Sequence, residues 1–149
     1  MSNYSHALIA VNLAKASHQE VIQKALSLVD QSQCRVSLAY VVRPLAFSYD
    51  RGLTLGLIDR GLEKLQAEAE AQTKEKMKQL AEQFNIPQDR VHTLLGKPSN
   101  EIIHLTKELK CDLLVLGNNH TRKLLGHTKG GVLNDIECDT FLISINDED

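Results

Sequence analysis

The chain has 149 residues, of which 24% are charged and 42% hydrophobic, and its formal net charge is −2 at pH 7. This composition is typical of a globular domain of ordinary size and excludes an intrinsically disordered chain. The near balance of charge leaves no global field that would draw the protein onto nucleic acid or an anionic membrane. We therefore expect a single domain over residues 1–149, without a nucleic-acid partner.

No apolar run approaches the roughly 20 residues that a transmembrane helix needs. The N-terminal segment lacks the basic region of a secretory signal, so the sequence predicts a cytoplasmic protein with no membrane partner. The three cysteines, Cys34, Cys111 and Cys138, are widely spaced and odd in number, which disfavours a disulfide framework. Each precedes a predicted strand, so we expect structural thiols at the N-terminal end of the sheet.

Apolar runs of strand length alternate with helical patterns along the chain. Almost continuous apolar character is typical of parallel strands that are buried on both faces. The predicted strands are Ala7–Val11, Val36–Val42, Val91–Leu95, Leu113–Leu116 and Phe141–Ile145. Strands that alternate with helices predict an α/β domain, with a doubly wound five-stranded parallel sheet and helices on both faces.

Four apolar stripes with helical spacing lie between these strands. They begin at Val21, Leu62, Ile102 and Val132, and the last one is short. The second helix, from about Leu57 to Phe84, has a densely charged face that we interpret as solvated. On this face, Glu70–Lys74 is a favourable i,i+4 pair and Lys74–Lys78 is a repulsive one.

Candidate ligand-binding residues follow the strands. Ligands of open α/β sheets bind beyond the C-terminal strand ends, near the topological switch point. In this chain those ends carry Asn12, Val42 and the segment Gly117–Leu133, which contains four glycines. Gly130 and Gly131 open the short fourth helix, and a glycine-rich loop that enters a helix presents free N–H groups to an anion. Arg122, Lys123 and Lys129 add positive charge to this loop.

Several segments resemble the universal stress protein family across nearly the whole chain. They read LIAVNLAKAS, RVSLAYVV, GKPSNEIIHLTKELKCDLLVLG and CDTFLISI. The stretch GLIDRGLEKLQAEAE is similar to the A-type branch of that family. The resemblance implies a strand order of 3-2-1-4-5 and a protective role in the stress response that includes resistance to DNA-damaging agents.

Members of the family that bind ATP carry the motif G-x2-G-x9-G-[S/T] after the fourth strand and an aspartate at the end of the first. The corresponding residues here are Gly117, His120, Gly130 and Gly131 for the motif, and Asn12 for the aspartate. His120 brings a Cβ and a ring to a motif position where the backbone should approach phosphate closely, Gly131 lacks a hydroxyl, and Asn12 lacks a charge. These departures agree with the A-type branch, which generally lacks the motif, and predict no cofactor.

A working nucleotide site remains the alternative. The glycines at 117, 130 and 131 still offer an anion nest, and Arg122 or Lys129 could replace lost phosphate contacts. In that case the protein is an ATP-dependent switch. The competing interpretation is that these glycines serve turn geometry alone.

Nothing in the sequence indicates catalysis. There is no GxSxG elbow and no Walker loop, and no carboxylate pair or nucleophile–base arrangement appears as a motif. His120 and His127 share the glycine loop, but their separation of seven residues is not a recognised metal-ligand spacing. The sequence therefore predicts a non-enzymatic protein without a metal.

The last strand is the expected partner surface. It is apolar and is followed by an acidic tail, and an edge strand must be paired, covered or charged. In family members this strand pairs with its counterpart across a two-fold axis, so the resemblance implies a homodimer and also allows other universal stress proteins as partners. The interface residues it implies are Phe141, Leu142, Ile143, Ser144 and Ile145.

Overall fold

The computed structural model describes residues 4–13, 18–42, 56–117 and 136–144. These residues form five strands and three α-helices, with a single 3-10 turn before the third strand. The strands are β1 (His6–Ala10), β2 (Arg35–Val42), β3 (Val91–Leu95), β4 (Leu113–Gly117) and β5 (Asp139–Ile143). The helices are α1 (His18–Leu28), α2 (Gly56–Gln83) and α3 (Pro98–Glu108), and the 3-10 turn is Gln88–Arg90.

The strands form one parallel sheet in the order β3-β2-β1-β4-β5. This confirms the predicted fold class and strand order. The bounds of the last strand differ from the prediction, because β5 covers Asp139–Ile143 and not Phe141–Ile145. Asp139 pairs with Leu113 of the buried β4. The pairing of β5 with β4 therefore begins at two polar residues, Asp139 and Thr140, which precede the apolar run used for the prediction.

The predicted fourth helix lies mostly outside the described residues. Its first described residue, Ile136, is irregular and not helical. None of the helices in the described ranges is long and apolar enough to cross a membrane.

Two apolar cores cover the two faces of the sheet. Side chains of a strand alternate between faces, and in β1 Ala7 and Ile9 join the core under α1 and α2, whereas Leu8 and Ala10 join the core under α3. Leu8 and Ile9 are completely buried. This two-sided burial explains why the strands read as continuous apolar runs.

The helices end in defined backbone conformations that return the chain to the sheet. After α2, Asn85 has φ 60° and the amide of Ile86 donates to the carbonyl of Ala81 at 2.8 Å. After α3, Lys110 has φ 55° and the amide of Cys111 donates to Thr106 at 2.9 Å. Both are left-handed helix caps, and the second delivers the chain into β4.

Candidate ligand site at the carboxyl edge of the sheet

The strand order reverses beside β1, which pairs with β2 on one side and β4 on the other. Ala10 pairs with Leu116, so Asn12 lies two residues beyond this pair and Gly117 lies one residue beyond it. The two predicted site residues therefore flank the topological switch point, where ligands of open α/β sheets bind.

Val42 lies further along the same edge. It is the last residue of β2 and pairs with Leu95, and its carbonyl accepts a hydrogen bond from the amide of Gly96 at 2.9 Å. Asn12 and Val42 are half-buried and Gly117 is buried. The structure thus brings three of the predicted site residues to one edge of the sheet.

The remaining predicted site residues lie outside the described residues. These are His120, Gly130 and Gly131, together with the basic residues of the same loop. The described part of the candidate site is therefore its floor, formed by the ends of β1, β2 and β4. On this floor Asn12 offers a neutral amide donor and acceptor in place of a carboxylate.

At the opposite, amino-terminal end of the strands, the carboxylate of Asp112 links two neighbouring strands. The sequence analysis did not identify this residue. Asp112 accepts hydrogen bonds from the amide of Ser5 at 2.8 Å, the hydroxyl of Ser5 at 3.1 Å and the amide of His6 at 3.0 Å. Burial acts to raise the pKa of Asp112, but these hydrogen bonds outweigh it and the pKa is lowered. Asp112 therefore ties the start of β1 to the start of β4 as a carboxylate.

His6 and Ser37 form a second polar contact at this edge. The Nε2 of His6 lies 2.6 Å from the Ser37 hydroxyl. Burial lowers the pKa of His6 and outweighs a backbone hydrogen bond with Leu109. A neutral histidine beside a serine resembles a nucleophile and its base, but Ser37 is only 1% exposed. Because no substrate can reach this hydroxyl, the pair is a structural contact between β1 and β2.

The three cysteines lie at the amino edge, as predicted. Cys34 and Cys111 are buried and Cys138 is half-buried. Burial is the main cause that raises all three thiol pKa values, and the pKa of Cys111 reaches about 12. These thiols are therefore protonated at neutral pH and poor nucleophiles. Within the described ranges, no group of three or more His, Cys, Asp or Glu side chains could hold a metal ion.

The described residues of the predicted dimer surface lie on β5, an edge strand of the sheet. Phe141 packs against the core and meets Tyr4 edge-to-face, with ring centroids 5.7 Å apart. Ile143 is buried, whereas Leu142 is 55% exposed. Ser144 is exposed and its carbonyl accepts a hydrogen bond from Lys24, and Ile145 lies outside the described residues.

The described strands and helices define a doubly wound α/β domain, with the candidate ligand site at the β1–β4 switch point. Comparison with known proteins then gives the family: the universal stress protein family model matches residues 3–144. The match covers nearly the whole chain, and the protein belongs to this family.

Individual relatives are distant in sequence. Universal stress protein A homolog 1 of Coxiella burnetii is 25% identical over 95% of this chain and 96% of its own. Among solved structures, the hypothetical protein MJ0577 has a TM-score of 0.71 at 11% identity, covering 97% of this chain and 99% of its own. A universal stress protein in complex with cAMP has a TM-score of 0.63 at 16% identity, covering 96% and 98%. These structural likenesses show the fold.

Proposed function

We propose that this universal stress protein is of the A type, a non-enzymatic homodimer that protects the cell under stress, including against DNA-damaging agents, and that it does not bind ATP tightly. The observation that carries the proposal is Asn12 at the switch point. In ATP-binding members this position is an aspartate near the adenine and ribose, and a carboxamide forms weaker hydrogen bonds to hydroxyl groups than a carboxylate does.

The sequence of the glycine loop supports the same conclusion. His120 replaces a glycine and Gly131 replaces a hydroxyl-bearing residue of the ATP motif. Each change removes a different contribution, since the first restricts the approach of phosphate to the backbone and the second deletes a donor. The A-type name of the Coxiella burnetii relative is a further argument for this branch.

A nucleotide-dependent switch is the second candidate. It is favoured by the retained geometry of the floor, with Gly117 at the end of β4 beside the end of β1. A structural neighbour was solved in complex with cAMP. If this candidate is correct, ATP or another adenine nucleotide occupies the switch point despite Asn12.

The proposed dimer forms through β5. Backbone groups alternate in direction along a strand, and the amide of Asp139 donates toward β4, to the carbonyl of Asp112 at 3.3 Å. By this alternation the backbone amides and carbonyls of Phe141 and Ile143 also point toward β4. The backbone amide and carbonyl of Leu142 point away from β4, to the open side of the edge strand. A second copy that pairs there would satisfy the backbone groups and cover the exposed Leu142 side chain.

Calorimetry with ATP, AMP and cAMP tests the binding claim. We expect no dissociation constant for ATP below about 10 μM, which corresponds to about −7 kcal/mol. The combined variant Asn12→Asp, His120→Gly and Gly131→Ser should bind ATP more tightly than the wild type. Tight wild-type binding of any of the three nucleotides would replace the proposal with the second candidate.

The cellular role needs a separate test. A strain that lacks the gene should be more sensitive to a DNA-damaging agent, and the wild-type gene should restore survival. A variant with a disrupted β5 edge should fail to do so if the dimer is the active form. Equal survival of the deletion strain and its parent under damage and starvation would contradict the protective role.

A further inference from the structure

A cavity of about 470 Å3 lies along β3, at the sheet edge opposite β5. One wall is α2, which contributes Lys74 and Lys78. Gln88 of the 3-10 turn and the strand segment Val91–Leu94 form the rest of the lining. This volume is within the range of small-molecule sites, and β2 separates the β3 strand that borders the cavity from the β1–β4 switch point.

The sheet register shows which groups of β3 face α2. Thr93 pairs with Tyr40, which packs against the core beneath α2, so the Thr93 side chain shares that face. His92 pairs with Ala39, which belongs to the core under α3. The His92 ring therefore faces α3, and this residue lines the cavity with its backbone.

Backbone groups of β3 also face the open edge. The amide of Gly96 donates to the carbonyl of Val42 in β2. By alternation, the backbone amides and carbonyls of Leu94 and His92 point toward β2 as well. The amide and carbonyl of Thr93 consequently face away from the sheet. The cavity is therefore bordered by a hydroxyl and an outward-facing backbone amide of the same residue.

Lys74 and Lys78 make no direct ion pair among the described residues, although Glu70, Glu75 and Glu82 lie within four residues of them on α2. The expected ion pair between Glu70 and Lys74 is absent, and within the described part of the chain neither lysine makes an ion pair. Both are exposed and lie four residues apart on α2, where like charges destabilise a helix. The carbonyl of Lys78 accepts a hydrogen bond from Gln88 at 3.3 Å, which joins α2 to the 3-10 turn.

We propose that this cavity binds a small phosphate-bearing anion, such as a pyrophosphate or triphosphate group. The two ammonium groups supply the charge that recognises the phosphates, and the Thr93 hydroxyl and amide supply hydrogen-bond donors. Occupancy relieves the repulsion between the lysines. The site recognises phosphate groups and is independent of the switch point and of Asn12.

The test is an NMR titration of the full chain with inorganic pyrophosphate at low ionic strength. Saturable shifts are expected at Lys74, Lys78 and Thr93, with a dissociation constant that rises steeply with added salt. The variant Lys74→Gln/Lys78→Gln should bind at least about tenfold more weakly, since about 1.4 kcal/mol is a tenfold change in affinity. It should fold, because it removes a like-charge pair.

A matched control is Lys64→Gln/Lys76→Gln, which makes the same charge change on the same helix at residues that do not line the cavity. This control should bind pyrophosphate as the wild type does. Equal weakening in both double variants would show a diffuse charge effect and overturn the site. Absence of saturable shifts at Thr93 with about 10 mM pyrophosphate would also overturn the proposed site. A dissociation constant of about 10 mM corresponds to a binding free energy of about −2.7 kcal/mol.

A second arm compares ATP with inorganic triphosphate. Equal affinities at the cavity identify the phosphate chain as the recognised group. Tighter binding of ATP, with shifts confined to Asn12 and Gly117 and none at Thr93, would assign the phosphate binding to the switch point and overturn the proposal.

Discussion

The two ends of the parallel sheet differ in chemistry. At the amino edge, the Asp112 carboxylate accepts three hydrogen bonds from Ser5 and His6, and buried cysteines precede β2 and β4. At the carboxyl edge, β1 and β4 end at Asn12 and Gly117, on the two sides of the switch point. The amino edge holds strands together, whereas the carboxyl edge is where a ligand could enter. The two edges should therefore respond differently to substitution.

The largest expected effect is on stability at the amino edge. Replacement of Asp112 by Ala leaves three donors without their acceptor, and hydrogen bonds to charged groups contribute roughly 1.5–3 kcal/mol each where they are buried. Because Asp112 is partly exposed, water replaces part of the loss, and we expect a decrease of about 2 kcal/mol in the free energy of unfolding. Urea denaturation measures this change.

The matched substitution at the carboxyl edge is Asn12→Ala. It should cost clearly less stability than Asp112→Ala, because a neutral carboxamide makes weaker hydrogen bonds than the Asp112 carboxylate, which accepts three. Equal losses in the two variants would remove the distinction between the edges.

The second prediction concerns assembly. Leu142→Pro removes an amide that faces the open edge of β5 and should convert a dimer into a folded monomer. Ile143→Pro instead removes a donor to β4 and should destabilise the fold itself. Light scattering and circular dichroism separate the two outcomes, and a wild-type monomer at micromolar concentration would contradict the proposed β5 interface.

The third prediction is a loss of stability in mild acid. Burial is the main cause that lowers the pKa values of His6 and His92. A histidine with a lowered pKa in the folded state binds more protons when unfolded, so its contribution is present above pH 6.5 and is lost as the pH falls. The urea concentration at the unfolding midpoint should decrease as the pH is lowered from 8 to 5. His6→Gln should make this dependence on pH less steep. Stability that increases as the pH is lowered from 8 to 5 would contradict these pKa directions.

Asp112 affects the pH dependence of stability at a lower pH than the two histidines do. Its pKa is lowered from 3.8 by hydrogen bonds that outweigh burial, so its contribution is lost only as the pH falls below about 4. The difference in stability between the wild type and Asp112→Asn should therefore narrow in strong acid and stay constant between pH 5 and pH 8.

The smallest expected effect is at α2. Lys74→Gln removes one member of the like-charge pair with Lys78, and because Lys74 makes no ion pair with Glu70, it should stabilise the protein by about 0.2–0.5 kcal/mol in low salt. Added salt should abolish the gain. Thermal unfolding of this variant beside Lys76→Gln measures the effect, and an equal gain in both variants would assign it to net charge and not to the pair.

Much of the fold could be predicted from the sequence because the strands are buried on both faces. Leu8 and Ile9 point to opposite cores and are both fully buried, which leaves a continuous apolar run. The strand order came from the family resemblance, since apolar runs do not specify which strands are neighbours. The start of β5 could not be read in this way, because Asp139 pairs through its backbone and shows no apolar signal.

The candidate site was predictable only in part. Asn12 and Gly117 directly follow apolar strands, so their position at the carboxyl edge follows from parallel topology. Asp112 has no comparable signal, since its partners Ser5 and His6 are more than 100 residues away in sequence. The β3 cavity likewise depends on how α2 packs against an edge strand, and its lysines appear in the sequence as part of a solvated helix face.

The most direct test is isothermal calorimetry of ATP against wild-type protein and the single variant Asn12→Asp. The carboxamide at the switch point is expected to keep the wild-type dissociation constant above about 10 μM, and the carboxylate introduced by Asn12→Asp should tighten binding. Wild-type binding below that value, unchanged by Asn12→Asp, would contradict the assignment of Asn12 as the residue that weakens this site.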